Sequence, residues 1–384
     1  MRKTYGSALG LRLPVGTPLV MAGDRAFMSG LISDRPGELE SEAHRVFQQA
    51  AELLREAGIS SSDVVRTRVF YVEDAGAARS GNTETLLRDV HGVVFDHPGP
   101  AFTAIRVSCL PAGAFVEIEL EAVRGAGKTM RRTGSVEKFS TSEGVRWGDE
   151  VWLSGMRSFG PEGDVITPGS AFSQSAIAAV NAETVLKSLG AGVPDVVASR
   201  YWVRHDAQDQ SRAPELTEFM RRAIPTSAGI AVEGVGPDGA VFMFEVDAVV
   251  GAASGRNNLR SGRTFEIINN YCRSVRVGTR DVVYVAGSTS LVPGEIIRHP
   301  GQVAAQVRDA LETVRWSVEA QGLAWSHLAR TRTYIVGGPE KLDEAKAALR
   351  EAIGNMPAAA SLVGVPALGR PGVVVEIEAI AVKG

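Results

Sequence analysis

Three stretches of this chain close on nearly the same residues. AGAFVEIELEAV spans 112–123, GAVFMFEVDAVV spans 239–250 and GVVVEIEAIAV spans 372–382. Matched on their first carboxylates, Glu117, Glu245 and Glu376, they lie 128 and 131 residues apart. Other landmarks keep the beat. Ser29-Gly30, Ser154-Gly155 and Ala286-Gly287 each follow an apolar run. Gly58, Gly190 and Gly322 are 132 residues apart both times, as are Arg68, Arg200 and Arg332. A period this long is a repeat of whole domains, not of solenoid turns. It divides the chain into residues 1–125, 134–251 and 263–384, joined by the polar, turn-rich segments Gly125–Thr133 and Ala252–Gly262, which read as linkers.

Each copy runs through the same elements. In the third, Tyr271–Val277 and Val282–Ala286 flank a turn and predict a hairpin. Val303, Val307, Leu311, Val314 and Val318 fall on one helix face, and Gly322 sits where a left-handed C-cap belongs. Leu328–Val336 predicts a strand, Pro339–Ile353 a second helix, and Ala360–Val365 and Val373–Val382 two final strands. The other copies repeat the order, with helices over Ile177–Leu189 and Pro214–Ala223 in the second and near Thr83–Val94 in the first. The fold class is α+β: a β-β-α-β-α-β-β unit, three times, with both helices on one face of a mixed sheet.

The last strand of the unit explains why one chain needs three copies. In Val116–Ala122 the residues Val116, Ile118, Leu120 and Ala122 point to one side, and Glu117, Glu119 and Glu121 to the other. A face that mixes carboxylates with apolar neighbours is a poor one to leave bare in water. Three such sheets are expected to cover one another about a pseudo-threefold axis, the arrangement three identical chains usually make. The chain is thus expected to be a pseudo-trimeric monomer around a closed sheet core. Dimerisation of that unit stays open.

Composition narrows the function classes. A net charge of −3 gives no electrostatic footprint for nucleic acid or an anionic membrane, so neither is an expected partner. No apolar run approaches the roughly eighteen residues of a membrane span. Two cysteines, Cys109 and Cys272, cannot build a disulfide framework, which suggests a reducing compartment and a cytoplasmic protein. Six histidines show no ligand spacing, and neither a metal nor another cofactor is expected. Gly234–Gly239 has the dinucleotide-binding spacing, but it joins two predicted strands where that motif needs a strand and then a helix.

Taken in order, these motifs resemble the Rid (YjgF/RidA) family of imine and enamine deaminases, which has the chorismate-mutase-like fold. The likeness covers the whole chain, three times. It rests on the run ending Met28-Ser29-Gly30 and on the Ala-Gly to Asp-Val-Val-x-x-Arg stretch of Ala57–Arg68, matched in part by Ala191–Arg200 and Gln321–Arg332. It rests also on the closing stretch Leu110–Ala122, echoed in Val373–Val382. The resemblance implies sites in clefts between units, here three inequivalent clefts. It implies that the first acid of V-E-I-E, matched to Glu117, Glu245 and Glu376, positions or activates a water beside Gly30, Gly155 and Gly287. An aromatic near the unit's start lines the family's cleft. Tyr271 matches it in the third unit, and Phe139 is the candidate in the second. Asn82 matches a cleft asparagine.

Family members that hydrolyse 2-imino acids also carry an arginine that pairs with the substrate carboxylate. The aligned positions here are Phe102, Ser227 and Ala359 or Ala360, and Arg106 and Arg370 lie nearby but off register. The expectation is therefore an enzyme for a small imine or enamine held without that arginine, in a cleft built around Tyr271 and Glu376. Two alternatives stand beside it. One is a lyase, isomerase or cyclase of specialised metabolism using the same acid, and the other is a non-catalytic binding protein. The cyanuric acid hydrolase and barbiturase group also has three units per chain, but it needs a serine–lysine pair from each. No three of the seven lysines are equivalent.

Overall fold

The computed structural model describes residues 2–7, 9–35, 37–73, 83–95, 99–125, 131–133, 141–160, 163–207 and 212–384. Three sheets share one strand order. In the first, Lys3–Tyr5, Leu19–Ala22 and Arg25–Met28 lead to a closing strand Val116–Val123, then to an arginine strand Val64–Tyr71, then to an outer strand Ala101–Arg106. The second runs Arg131–Thr133, Gly144–Trp147, Glu150–Leu153, Phe242–Val249, Val196–Arg204, Thr226–Val232. The third runs Arg256–Leu259, Ser274–Val277, Val282–Ser288, Val375–Val382, Leu328–Val336, Ala359–Val365. In each, the arginine strand pairs antiparallel with the closing strand and parallel with the outer strand. A parallel pair needs a crossover. The second helix of each unit supplies it: Thr83–Val94, Pro214–Ala223 and Pro339–Ile353.

The first helices, Leu39–Glu56, Ala171–Ser188 and Val303–Ala320, pack their apolar faces on the sheets and form three separate cores. Gly58, Gly190 and Gly322 stand just past their ends with φ of 66°, 74° and 81°. The next N–H reaches back to the last turn in all three, from Ile59 to Leu54, Ala191 to Leu186 and Leu323 to Val318. This closure satisfies orphan carbonyls and favours glycine, which has no Cβ to strain. No helix among the described residues is long and apolar enough to cross a membrane.

The segments read as linkers differ from expectation. Arg131–Thr133 pairs with Gly144–Trp147, and Arg256–Leu259 with Ser274–Val277. Each sheet therefore begins one strand earlier than the hairpin. Arg256–Leu259 (RNNL) shows no apolar alternation because it forms the sheet's edge, where none of its residues is fully buried.

The strand register corrects one alignment. Arg68 lies opposite Glu119, Arg200 opposite Glu245 and Arg332 opposite Glu378. Glu245 is thus the counterpart of Glu119 and Glu378. The position shared by Glu117 and Glu376 holds Met243 in the second unit. Matching on the first acid shifted the second unit by two residues, which keeps the face but changes the depth. The same register aligns Phe102, Ser227 and Ala360, through their neighbours Thr67, Ser199 and Thr331.

Where the three sheets meet, ten charged side chains are buried together. Arg66 and Arg68 of the first sheet reach Glu245 and Asp247 of the second. Arg200 of the second reaches Glu378 of the third at 2.5 Å. Arg330 and Arg332 of the third reach Glu121 and Glu119 of the first. The cycle closes with five guanidinium groups on five carboxylates. Two positions that would carry a sixth pair hold Ala198 and Ile380, opposite Asp247 and Arg330. One cation and one anion are absent, and the cluster stays neutral. Apolar residues from all three sheets lie beyond it along the strands, Phe70, Trp202 and Tyr334 at one end and Phe27, Val249 and Val382 at the other. Burying charges carries a desolvation cost that only good geometry and complete pairing offset.

Candidate active site

Three seams join the sheets by one pattern. The loop before each hairpin donates an N–H to the start of a neighbouring outer strand: Thr17 to Ala358, Ser142 to Pro100 and Cys272 to Pro225. The residue before that donor is Gly16, Thr141 and Tyr271 in turn. Each seam then sets one glycine of the hairpin strand, Gly30, Gly155 or Gly287, against one residue of its own closing strand, Glu117, Met243 or Glu376. A Cβ on these glycines would lie 2.0 Å from Glu117 Oε1, 2.2 Å from Met243 Sδ and 1.9 Å from Glu376 Oε1. The absent side chain is what lets the facing group lie there.

The first seam is sealed. Glu117 is wholly buried, accepts the Leu362 N–H at 3.2 Å and leaves Oε2 without a partner. Burial pushes its carboxyl well above the usual range. Val15, from the segment before the hairpin, packs into the core of the third unit.

The second seam is filled. Met243 has no acid chemistry to offer. The ring of Phe102 occupies the arginine position and carries the Arg88 guanidinium on its face at 4.6 Å. Arg88 donates to Thr141 Oγ1 at 2.7 Å. Glu245 sits deeper, in the ionic cluster, bonded by Arg66, Arg68, Arg200 and the Thr103 hydroxyl. Burial alone would raise its pKa, but those cations hold it well below the carboxylate range. Asn82 and Phe139 lie outside the described residues.

The third seam opens into a cavity of about 530 Å³ whose lining includes Glu376, Tyr271, Gly287, Ser227 and Gly229. Glu376 is 8% exposed. Burial, and then repulsion from Glu378, push its pKa up to about 8, while Arg273 and the Gly229 N–H pull the other way. At neutral pH it is a carboxylic acid. Three local choices keep the space open. Gly229 stands where the first seam has Leu362. Ser227 replaces any large group at the arginine position, and its hydroxyl is buried without a partner. Ala286 replaces Ser29 and Ser154, whose hydroxyls accept the Ala360 and Phe102 N–H groups.

A buried arginine that the motifs did not single out fixes this wall. Arg273 donates to the Gly287 carbonyl at 2.6 Å, to Glu266 Oε1 at 3.0 Å and towards the Tyr271 hydroxyl at 3.4 Å. The planar guanidinium holds three elements of the cavity at once. Tyr201 brings its ring to 2.1 Å from where a Gly229 Cβ would be, so only glycine fits there. Cys272, beside Tyr271, is no nucleophile: it is fully buried, donates to the Ile224 carbonyl at 3.3 Å and has its thiol pushed up to about 12 by burial. Gly287→Ala is expected to cost about 1–3 kcal/mol of unfolding free energy by overpacking against Glu376. Gly255→Ala, where a Cβ meets nothing within 4 Å, is expected to be neutral in the same denaturant melts.

The chain has relatives. The sequence model of one family, described as Endoribonuclease L-PSP, matches residues 15–124 and 262–383. The protein DfrA of Myxococcus xanthus is 32% identical over 111 residues, 27% of this chain and 79% of that one. A 2-iminobutanoate/2-iminopropanoate deaminase of Bos taurus is 32% identical over 90 residues, 23% of this chain and 61% of the deaminase. Among solved structures, a Mycobacterium tuberculosis member of the YjgF/YER057c/UK114 family is 34% identical, with a TM-score of 0.29, and covers 33% of this chain and 98% of its own. A chorismatase aligns over 84% of this chain and 93% of its own with a TM-score of 0.50 and 13% identity, a likeness of fold.

Proposed function

We propose that this chain, which belongs to the Rid (YjgF) family, hydrolyses the C=N bond of a small imine or its enamine tautomer in the third seam, with Glu376 moving the protons. The observation that carries the reading is Glu376 itself: a carboxyl that keeps its proton near neutral pH and faces an open cavity. The names of the deaminase relatives support the reaction class.

The chemistry follows from that protonation state. Glu376 gives its proton to the imine nitrogen, which makes the carbon more electrophilic. Water adds to that carbon, and the carboxylate takes the proton the water sheds. The resulting carbinolamine has a C–O and a C–N bond on one carbon. A second proton passes from Glu376 to nitrogen, the C–N bond breaks, and the hydroxyl proton returns to Glu376 as the carbonyl forms. One imine and one water become one carbonyl compound and one ammonia, and the acid ends as it began. Desolvation of the carboxyl, the cause of its raised pKa, places the group near the working pH that acid–base catalysis favours.

The test is ammonia release from imines generated in place by an amino-acid oxidase. Acceleration over the protein-free control is expected, with a product in which oxygen has replaced nitrogen. A product of unchanged composition would assign an isomerase instead. The pH profile has a stated sign. Glu376 must start protonated, so kcat/KM is expected to fall as pH rises through about 8. A profile that rises there would reverse the proton's direction and sink this sequence of steps.

A further inference from the structure

The cavity wall carries more positive charge than its own carboxylates balance. Four arginines line it: Arg212, Arg263, Arg273 and Arg370. Arg273 is matched by the buried Glu266 at 3.0 Å. Arg370 has Glu295 at 3.7 Å and lies over the Phe265 ring. The other two have no such match. Arg263 is 8% exposed, its Nε has no hydrogen-bond partner, and it donates to Thr313 Oγ1 over a long 3.4 Å. Glu266, three residues on, is already held by Arg273 and by the N–H and hydroxyl of Ser261. Arg212 enters from the second unit, lies over the Tyr201 ring at 4.7 Å and bonds its hydroxyl. Among the described residues, no carboxylate lies within ion-pair distance of either.

An unpaired buried cation is costly, and a site that keeps one is built for an anion that arrives with the ligand. Arg263 is the buried one and Arg212 is half-buried, and two unmatched cations contributed by different units call for two anionic groups. We propose that the cavity takes a dianionic substrate, a dicarboxylate imine, with one carboxylate on Arg263 and the other on Arg212. Both arginines are specificity-determining residues, and Arg263 and Arg212 do together what a single strand arginine would do at Ser227. Burial and the nearby Arg273 lower the pKa of Arg263 to about 10, which still leaves it charged near neutral pH and receptive to an anion. The proposal rests on the proposed hydrolysis only for the reacting C=N bond. The charge of the ligand stands on the wall alone.

Calorimetric binding of unreactive probes separates the two claims. Glutarate, a dianion, is expected to bind at least tenfold more tightly than butanoate, a monoanion with a similar chain. Arg212→Gln and Arg263→Gln are each expected to erase that preference, and Arg263→Lys to restore part of it. Thermal melts of each variant report whether it folds. If Arg263→Gln does not, Arg212→Gln and Arg263→Lys still decide the matter. Equal affinity for the two probes in the unaltered protein, or a preference that survives in the arginine variants, overturns the proposal. A dianion preference without turnover of any imine keeps it and removes the hydrolase reading. Turnover of monoanionic imines with no dianion preference does the reverse.

Discussion

Arg332→Met is expected to lower the unfolding free energy by about 3–5 kcal/mol, the cost of leaving buried charge uncompensated. Arg332 is fully buried and bonds both Glu119 and Glu378. Its loss leaves four guanidinium groups facing five carboxylates. The number alone would not distinguish lost charge from lost packing, but a second substitution does. Adding Glu378→Gln restores four against four, and the double variant is expected to be more stable than Arg332→Met alone. A double variant that is less stable than either single one would refute charge balance as the reason. Acid gives the same answer from another side. Burial would raise the pKa of Glu378, yet Arg200 and Arg332 outweigh it and hold the group at about 2, against 4.5 for a free glutamate. Its contribution to stability is therefore complete above about pH 4.5 and disappears as pH falls toward 2. Urea melts between those limits are expected to show that slope, and a shallower one in Arg332→Met.

Glu376→Gln is expected to reduce kcat/KM on the responsive imine by about 10²–10⁴, the usual contribution of a positioned acid–base group. Glu117→Gln is expected to leave turnover near its original value, since that carboxyl is sealed in the first seam. Misfolding would mimic the first result, so stability must move the other way. The folded pKa of Glu376, about 8, lies above the 4.5 of a free glutamate. A carboxyl held protonated by the fold opposes folding increasingly as pH rises between those values, at up to roughly 1.4 kcal/mol per unit. Glutamine has no proton to lose. The variant is expected to melt higher than the parent at pH 9 while its turnover of the imine stays reduced. A variant that melts lower at pH 9 would remove Glu376 as a strained, protonated group.

The elements were legible where periodicity carried them. Pro339–Ile353, Pro214–Ala223 and Thr83–Val94 stand as helices at the ends their sequences predict. The second unit's first helix begins at Ala171, not Ile177, because its first turns use Phe172, Ser173 and Gln174, which show no apolar stripe. The readable signal was Ser170, whose hydroxyl caps the Ser173 N–H. The shift at Glu245 has a similar origin. Three acids at alternate positions look alike in sequence, and only the shared alanine at 122, 248 and 381 sets the phase. Tyr271, Gly287 and Glu376 do lie together on one cavity. Arg212, Arg263 and Arg273 were invisible as site residues. They come from a helix entry and from loops around the edge strand, where no pattern marks which way a side chain faces.

The ionic cluster also decides which sheets can sit beside one another. The first sheet brings two cations and two anions, the second one cation and two anions, the third two cations and one anion. Three copies of the second sheet would trap three surplus negative charges, and three copies of the third would trap three positive ones. A set is neutral only when it holds the second and third in equal number, as this chain does with one of each; three copies of the first sheet would balance too, but neither of the others can balance without its complement. Joining the three in a single polypeptide guarantees that composition, so the stoichiometry that separate chains would have to find by collision is written into the order of the gene product itself.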